Sequence, residues 1–354
     1  MSQQIINGID GILSVLNGRR FLLVKGSSFD RLEIKSKFDG LDYIPFSEFT
    51  PNPLYEQVCE GVKAFCDNNC EMIVAVGGGS AIDVAKCIKL YAKMNPAVNY
   101  LQQEMFDSEI PLIAVPTTAG TGSESTRHAV IYYEGVKQSV SHPSIVPDYA
   151  VLEPNVLLPL PLYQKKCTML DALCQAIESW WSVSSTEESI EYSKKAIYLI
   201  KENWHAYLVN NKLEAAKDIM LAANYAGRAI NITATTASHA MSYKLTSLYK
   251  LPHGHAVAIS MREVWKYMLD NKDKCIDVRG EEHLKAVFDD ISKIIDYDWF
   301  VSLLESLEID SPKSENVNAD LEILVKSVNP TRLKNNPVEL TETVLHDMYE
   351  RILK

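Results

Sequence analysis

The chain has 354 residues, 47% apolar and 23% charged, an ordinary globular composition that excludes a disordered or collagen-like chain. Its length predicts about two domains, and no apolar run approaches the ~20 residues that a membrane span needs. The formal charge of −11 is spread evenly, −6 over residues 1–160 and −5 over 161–354, so there is no basic stripe to draw nucleic acid or an anionic membrane surface.

Ile5, Ile6, Ile9, Ile12, Leu13 and Leu16 are spaced like one helix face, interrupted by Asp10, with no basic stretch before them. They predict a first amphipathic helix rather than a signal peptide. The seven cysteines are odd in number and form no CxxC pair, and Cys87 and Cys174 sit in apolar contexts that read as buried thiols. A reducing compartment, hence the cytoplasm, is expected. Residues 21–24 predict a strand, and Leu54, Val58, Val62 and Phe65 a helix that Asn68 and Asn69 stop. Residues 72–76 predict a strand buried on both faces, followed by a glycine-rich turn and a helix from Ser80. Another buried strand covers 112–115. Residues 130–133 and 137–140 predict a hairpin around Glu134-Gly135. Beyond Leu160 the strand signals stop, and helices are expected to begin near Tyr163, Glu187, Leu213, Thr233 and Gly254, with more toward Tyr349. The expected fold is an α/β domain with a parallel sheet over 1–160 and an all-helical domain over 161–354. Pro154, Pro159 and Pro161 mark the boundary.

Three segments carry chemistry. Gly77-Gly78-Gly79-Ser80 lies between a buried strand and a helix. Glycines there let a ligand approach the backbone, Ser80 is expected to cap the helix, and the helix N-terminus suits a diphosphate. Pro116-Thr117-Thr118-Ala119-Gly120-Thr121-Gly122-Ser123-Glu124 follows the next strand and is rich in hydroxyls. Two such loops on neighbouring strands fit a ligand at the carboxyl edge of a parallel sheet. In the helical half, Asp171 and Gln175 share a helix face. His239 and His253, with Asp171, make a plausible donor set for Fe²⁺ or Zn²⁺.

Together these segments resemble the iron-containing (group III) alcohol dehydrogenase family, within the dehydroquinate synthase-like fold, over almost the whole chain. The resemblance rests on GGGSAIDVAK at 77–86, PTTAGTGSE at 116–124, Leu170-Asp171-Ala172-Leu173 with Ala176 and Glu178, and HAMSYKLTSLYKLPHGHAVA at 239–258. It implies a nicotinamide-dependent reductase with its metal in the cleft between the domains, acting on a small aldehyde or alcohol. Gly78, Gly79 and Ser80 would hold the diphosphate, with Asp83 nearby. Thr117, Thr118 and Ser123 would line the cofactor groove, and Lys137 would stand near the nicotinamide ribose. Asp171, His239 and His253 match metal ligands.

The departures matter. Gln175 stands where the family usually has histidine, so three ligands and water suffice, or the metal is weakly held, or it is absent. Tyr243 replaces the family's second histidine, and Met169 its usual glycine. The stretch Lys25-Gly26-Ser27-Ser28 has no carboxylate to accept from a ribose 2′-OH, which favours NADP(H) over NAD(H). Arg127, His128 and Lys244 would suit a small anionic aldehyde. The 239–258 string and residues 331–337 look similar to the phosphonoacetaldehyde reductase branch, which makes 2-hydroxyethylphosphonate. Tyr243 and His255 are the candidate proton relays. Two other readings stay open: a lyase of the dehydroquinate synthase type, from the HGHAVA string at 253–258, and a metal-free, non-catalytic cofactor-binding protein. A homo-oligomer is also left open.

Overall fold

A computed structural model describes residues 3–354. They divide into two compact units, residues 3–160 with Asn211–Met220, and Pro161–Asn210 with Leu221–Lys354.

The first unit begins with β1, Gln4–Asn7, and the short α1, Ile12–Leu16. The expected N-terminal helix is therefore corrected. Ile5 and Ile6 pair with Ala150 and Val151 in a parallel ladder, and Gly8 at φ 81° turns the chain. Only from Ile9 onward does the helical spacing bury a face, through Ile9, Ile12 and Leu16. β2, Phe21–Lys25, and β3, Tyr43–Phe46, come next, then α2, Tyr55–Asp67, β4, Met72–Gly77, and α3, Gly79–Tyr91. β5, Leu112–Pro116, precedes a hairpin of β6, His128–Tyr133, and β7, Val136–Ser141. Its turn holds Glu134 at φ 50° and Gly135 at φ 74°, the two left-handed residues that match the twist of paired strands. β8, Tyr149–Leu152, closes the series.

The sheet has the order β1-β8-β5-β4-β2-β3, parallel throughout. β4 is buried along its whole length, as expected of an apolar strand with layers on both faces. β3 carries Pro45 at the sheet edge, where a missing N–H costs no ladder bond. β2, β4 and β5 are neighbours, so the segments after Lys25, Gly77 and Pro116 emerge side by side at one carboxyl edge.

The second unit is helical. α4, Leu162–Trp181, α5, Glu187–Leu208, and α6, Leu213–Thr233, are followed by α7, Ala237–Tyr249, and α8, His253–Asp270. Then come α9, Glu281–Ser292, α10, Tyr297–Ser306, α11, Val317–Ser327, the short α12, Pro330–Leu333, and α13, Glu342–Leu353. The helix expected near Thr233 starts instead at Ala237. α6 runs to Thr233, and Ala234 at φ 57° breaks the continuation. Among the described residues, no helix is long and apolar enough to cross a membrane. All seven cysteines are unpaired, and Cys87 and Cys174 are buried.

Candidate functional site

At the sheet edge the three loops pack closely against one another, most tightly at Gly77. The Gly26 amide donates to the Val76 carbonyl at 2.9 Å. A Cβ on Gly77 would fall 2.6 Å from that of Ala81, and one on Gly79 would press on Thr121 at 3.1 Å. Thr117 is buried and its amide donates to the Gly77 carbonyl at 3.0 Å, while Thr118 lies against Gly78. The N-cap of α3 is Gly78, not Ser80, and no side chain caps it. Ser80 falls inside the first turn because the helix starts one residue earlier. The amide end of α3 is thus left to backbone and ligand.

Asp83 and Ser123 face each other. The Ser123 hydroxyl donates to Asp83 Oδ1 at 2.6 Å, and the Val130 amide donates to Asp83 Oδ2 at 2.9 Å. Lys86, fully buried, donates to Ser123 Oγ, Thr126 Oγ1 and the His128 carbonyl at 2.8–3.0 Å. Burial pushes Lys86 down to about 8, against the pull of Asp83 and Glu124. This network ties the second loop and the hairpin to α3. Lys137 lies opposite Tyr132 on β7, and its charge acts on Asp83. Gly26, Ser27 and Ser28 follow β2, where Lys25 and Lys35 both pair with Asp30, at 2.6 and 3.2 Å. Arg127 is exposed just before the hairpin, and His128 begins it.

In the second unit, α4, α7 and α8 bring Asp171, His239 and His253 together. One ligand atom from each lies within 4.8 Å of the others. Asp171 Oδ1 is 3.3 Å from His239 Nε2 and 3.9 Å from His253 Nε2. Asp171 and His239 are buried and His253 is half-buried. Behind His239 stands Glu178, wholly buried, its Oε2 2.5 Å from His239 Nδ1. It also accepts from the amides of Thr236, Ser238 and His239 at 3.1, 2.8 and 3.3 Å. Glu178 thereby sets the imidazole so that Nε2 faces Asp171. Such a carboxylate behind a histidine is the usual support of a metal-binding imidazole. Two imidazoles and a carboxylate so backed fit Fe²⁺ or Zn²⁺.

The electrostatics agree with a site built for positive charge. Burial works against the Asp171 carboxylate, yet His253, His239 and a hydrogen bond from Gln175 hold it below the usual range. Burial likewise opposes charge on His239, but Glu178 and Asp171 raise it to about 9. Gln175 is buried beside Asp171 on the same helix face.

The structure separates the two proton-relay candidates. The Tyr243 ring stacks on His253, centroids 5.7 Å apart and 10° from parallel. His255 is instead held at both ring nitrogens, Nδ1 by the Tyr163 hydroxyl at 2.8 Å and Nε2 by the Asp310 carbonyl at 2.7 Å. On α8 it lies two residues beyond His253, about 200° around the helix, so it turns away from the cluster. Lys244 follows Tyr243 by one position, about 100° around α7. The cation against Tyr243 is Arg332, whose Nη1 donates to the phenol oxygen at 2.9 Å. Glu178 and Arg332 are the two residues that motif spacing did not single out for the site. Glu178 could have been found, because residues 171, 175 and 178 share one helical face.

Residues 3–154 match the iron-containing alcohol dehydrogenases, and residues 166–352 match the C-terminal part of the Fe-containing alcohol dehydrogenase family. An NAD-dependent methanol dehydrogenase of Bacillus methanolicus is 34% identical over 65% of this chain and 62% of that protein. A phosphonoacetaldehyde reductase of Streptomyces viridochromogenes is 34% identical over 62% of this chain and 59% of that one. The matched stretches span about three-fifths of these two relatives. The crystal structure of a sulfoacetaldehyde reductase from Bifidobacterium kashiwanohense in complex with NAD+ superposes with a TM-score of 0.85 and 26% identity, covering 99% of this chain and 96% of that one. The chain belongs to the iron-containing alcohol dehydrogenase family.

Proposed function

We propose that the chain is a metal-dependent, nicotinamide-linked alcohol dehydrogenase working in the cytoplasm as a reductase of small anionic aldehydes, phosphonoacetaldehyde among them. The observation that carries the reading is the Asp171–His239–His253 cluster with Glu178 behind it. In this reading residues 1–160 bind the cofactor and 161–354 hold metal and substrate. Gly78, Gly79 and Ser80 take the diphosphate on the uncapped end of α3. Thr117 and Thr118 line the groove, and Lys137 stands by the nicotinamide ribose. Asp83 and Ser123 serve indirectly, by fixing the loop to the helix. At the adenosine end, two lysines share the single carboxylate of Asp30, leaving net positive charge beside Gly26, Ser27 and Ser28 for a 2′-phosphate. NADPH is therefore the preferred donor.

Reduction of an aldehyde consumes one hydride and one proton and leaves an alcohol. When bound, the nicotinamide supplies the hydride and a divalent cation supplies a Lewis acid for the carbonyl oxygen. Asp171, His239 and His253 would hold that cation, with Gln175 steadying Asp171. Tyr243, whose ring stacks on His253 and whose oxygen accepts from Arg332, is the proton-relay candidate at the cluster. The anionic-substrate reading draws on the phosphonoacetaldehyde reductase of Streptomyces and the sulfoacetaldehyde reductase of Bifidobacterium. Arg127 and His128 are the first unit's candidates for the same anion.

The test is NADPH and NADH oxidation by the purified protein with added Fe²⁺ or Zn²⁺, against phosphonoacetaldehyde and neutral aldehydes of similar size. Metal-dependent turnover, faster with NADPH and with the anionic aldehyde, is expected. Equal rates on neutral and anionic aldehydes would overturn the substrate assignment. No turnover with any aldehyde would leave a cofactor-binding protein without catalysis.

A further inference from the structure

Four of the nine arginines on this acidic chain lie against carboxylates. Arg20 pairs with Asp42, Arg279 with Asp277, and both Arg262 and Arg351 with Glu263. Arg332 differs. It is half-buried, and among the described residues no carboxylate pairs with it. Its guanidinium carbon sits 5.1 Å from the centroid of the Tyr243 ring, and one N–H is spent on the Tyr243 hydroxyl. A guanidinium has five N–H donors, and among the described residues the Arg332 side chain makes no other hydrogen bond. Withdrawing a guanidinium from water without a counter-ion is costly, and the natural compensation is an anion that comes with the ligand.

The segment that carries Arg332 is firmly seated. The Asn335 side chain donates to the carbonyls of Thr233 and Thr235 at 2.8 and 3.0 Å and accepts from the Ser182 hydroxyl at 2.8 Å. The Val183 amide donates to the Asn335 carbonyl at 3.2 Å. Asn329 caps α12. Arg332 is thus a preorganised cation, and its contact, Tyr243, is itself stacked on His253 of the Asp–His–His cluster.

We propose that Arg332 is the residue that selects the anionic head of the substrate, binding a phosphonate- or sulfonate-type group through its remaining N–H donors while Tyr243 fixes its plane. The inference rests on the anionic-aldehyde reading above. A planar fork matches two oxygens of such a head at once. A lysine in its place keeps charge but loses the paired geometry and the ring contact.

The test compares wild type, Arg332→Gln and Arg332→Lys, with Lys334→Gln as a control that removes the same charge two residues away. Two readouts are taken: kcat/KM on phosphonoacetaldehyde and on a neutral aldehyde of the same length, and equilibrium binding of phosphonoacetate by calorimetry in protein with and without metal. Loss of a charge-assisted pair predicts that Arg332→Gln lowers the anionic-to-neutral kcat/KM ratio roughly 10- to 100-fold, mostly through KM. Phosphonoacetate binding should weaken by a similar factor with and without metal. Arg332→Lys should recover part of both, and Lys334→Gln should shift the ratio less than about threefold. A wild-type enzyme that prefers the neutral aldehyde would overturn the anionic reading and the inference with it. A wild-type anionic preference that survives intact in Arg332→Gln would overturn the inference alone.

Discussion

Exchanging Glu178 for its isosteric amide isolates what that buried carboxylate does. In the native arrangement one oxygen takes the Ser238 and His239 amides, and the other takes the Thr236 amide and His239 Nδ1. Glutamine has one acceptor end and one donor end. If its oxygen stays toward Ser238, the NH₂ meets the Thr236 N–H and forces Nδ1 to accept, which moves the imidazole proton to Nε2, the nitrogen facing Asp171. If the amide is reversed, the NH₂ meets the Ser238 and His239 amides instead. Either orientation leaves buried donors unsatisfied at about 1–3 kcal/mol each, so Glu178→Gln should lose roughly 2–5 kcal/mol of stability. Metal affinity, measured by competition with a chelator, should fall about 10- to 100-fold, with nicotinamide binding retained. A variant that keeps wild-type metal affinity and the wild-type denaturation midpoint would refute the assignment of Glu178 as the group that orients His239.

Two further changes test the framework around the sites. A Cβ on Gly254 would be built onto the Cys167 carbonyl oxygen and 3.0 Å from Asp171 Cβ. Gly254→Ala should therefore push α8 from α4, cost about 1–3 kcal/mol and weaken metal binding, both read by denaturation and chelator competition. Lys86 is held at about 8 in the fold, mainly by burial, below its ordinary 10.5. The folded state thus carries a penalty below pH 8 that is relieved as pH rises through 10.5. Stability of wild type relative to Lys86→Met should rise across that window by up to ~3 kcal/mol, and parallel pH profiles would refute it.

Much of the first unit could be read locally. Residues 72–76 announce a buried strand because every side chain is apolar, and the hairpin follows from Glu134-Gly135 between two alternating runs. β3 and β8 gave weaker signals, being four residues long and bounded by other irregular segments. The first isoleucines misled because residues 5 and 6 belong to a strand while 9, 12 and 16 serve a helix face. Gly8 between them changes the chain direction. Ser80 misled for a smaller reason, since Gly78 already supplies the extended N-cap backbone.

The sequence by itself determined the parallel α/β sheet and the helical second half, and it named Asp171, His239 and His253 through motifs that resemble a known family. The elements are encoded by short-range periodicity, and the three residues by types whose chemistry is narrow. Tertiary structure alone decided which polar neighbours complete the cluster. Glu178 reaches His239 across 61 residues, and Arg332 reaches Tyr243 across 89. His255, beside a cluster residue in sequence, is drawn off to Tyr163 and Asp310. The physical reason is the same each time. A helix shows one face to any given neighbour, so which side chains meet depends on how α4, α7, α8 and α12 pack, and no spacing along a single segment records that.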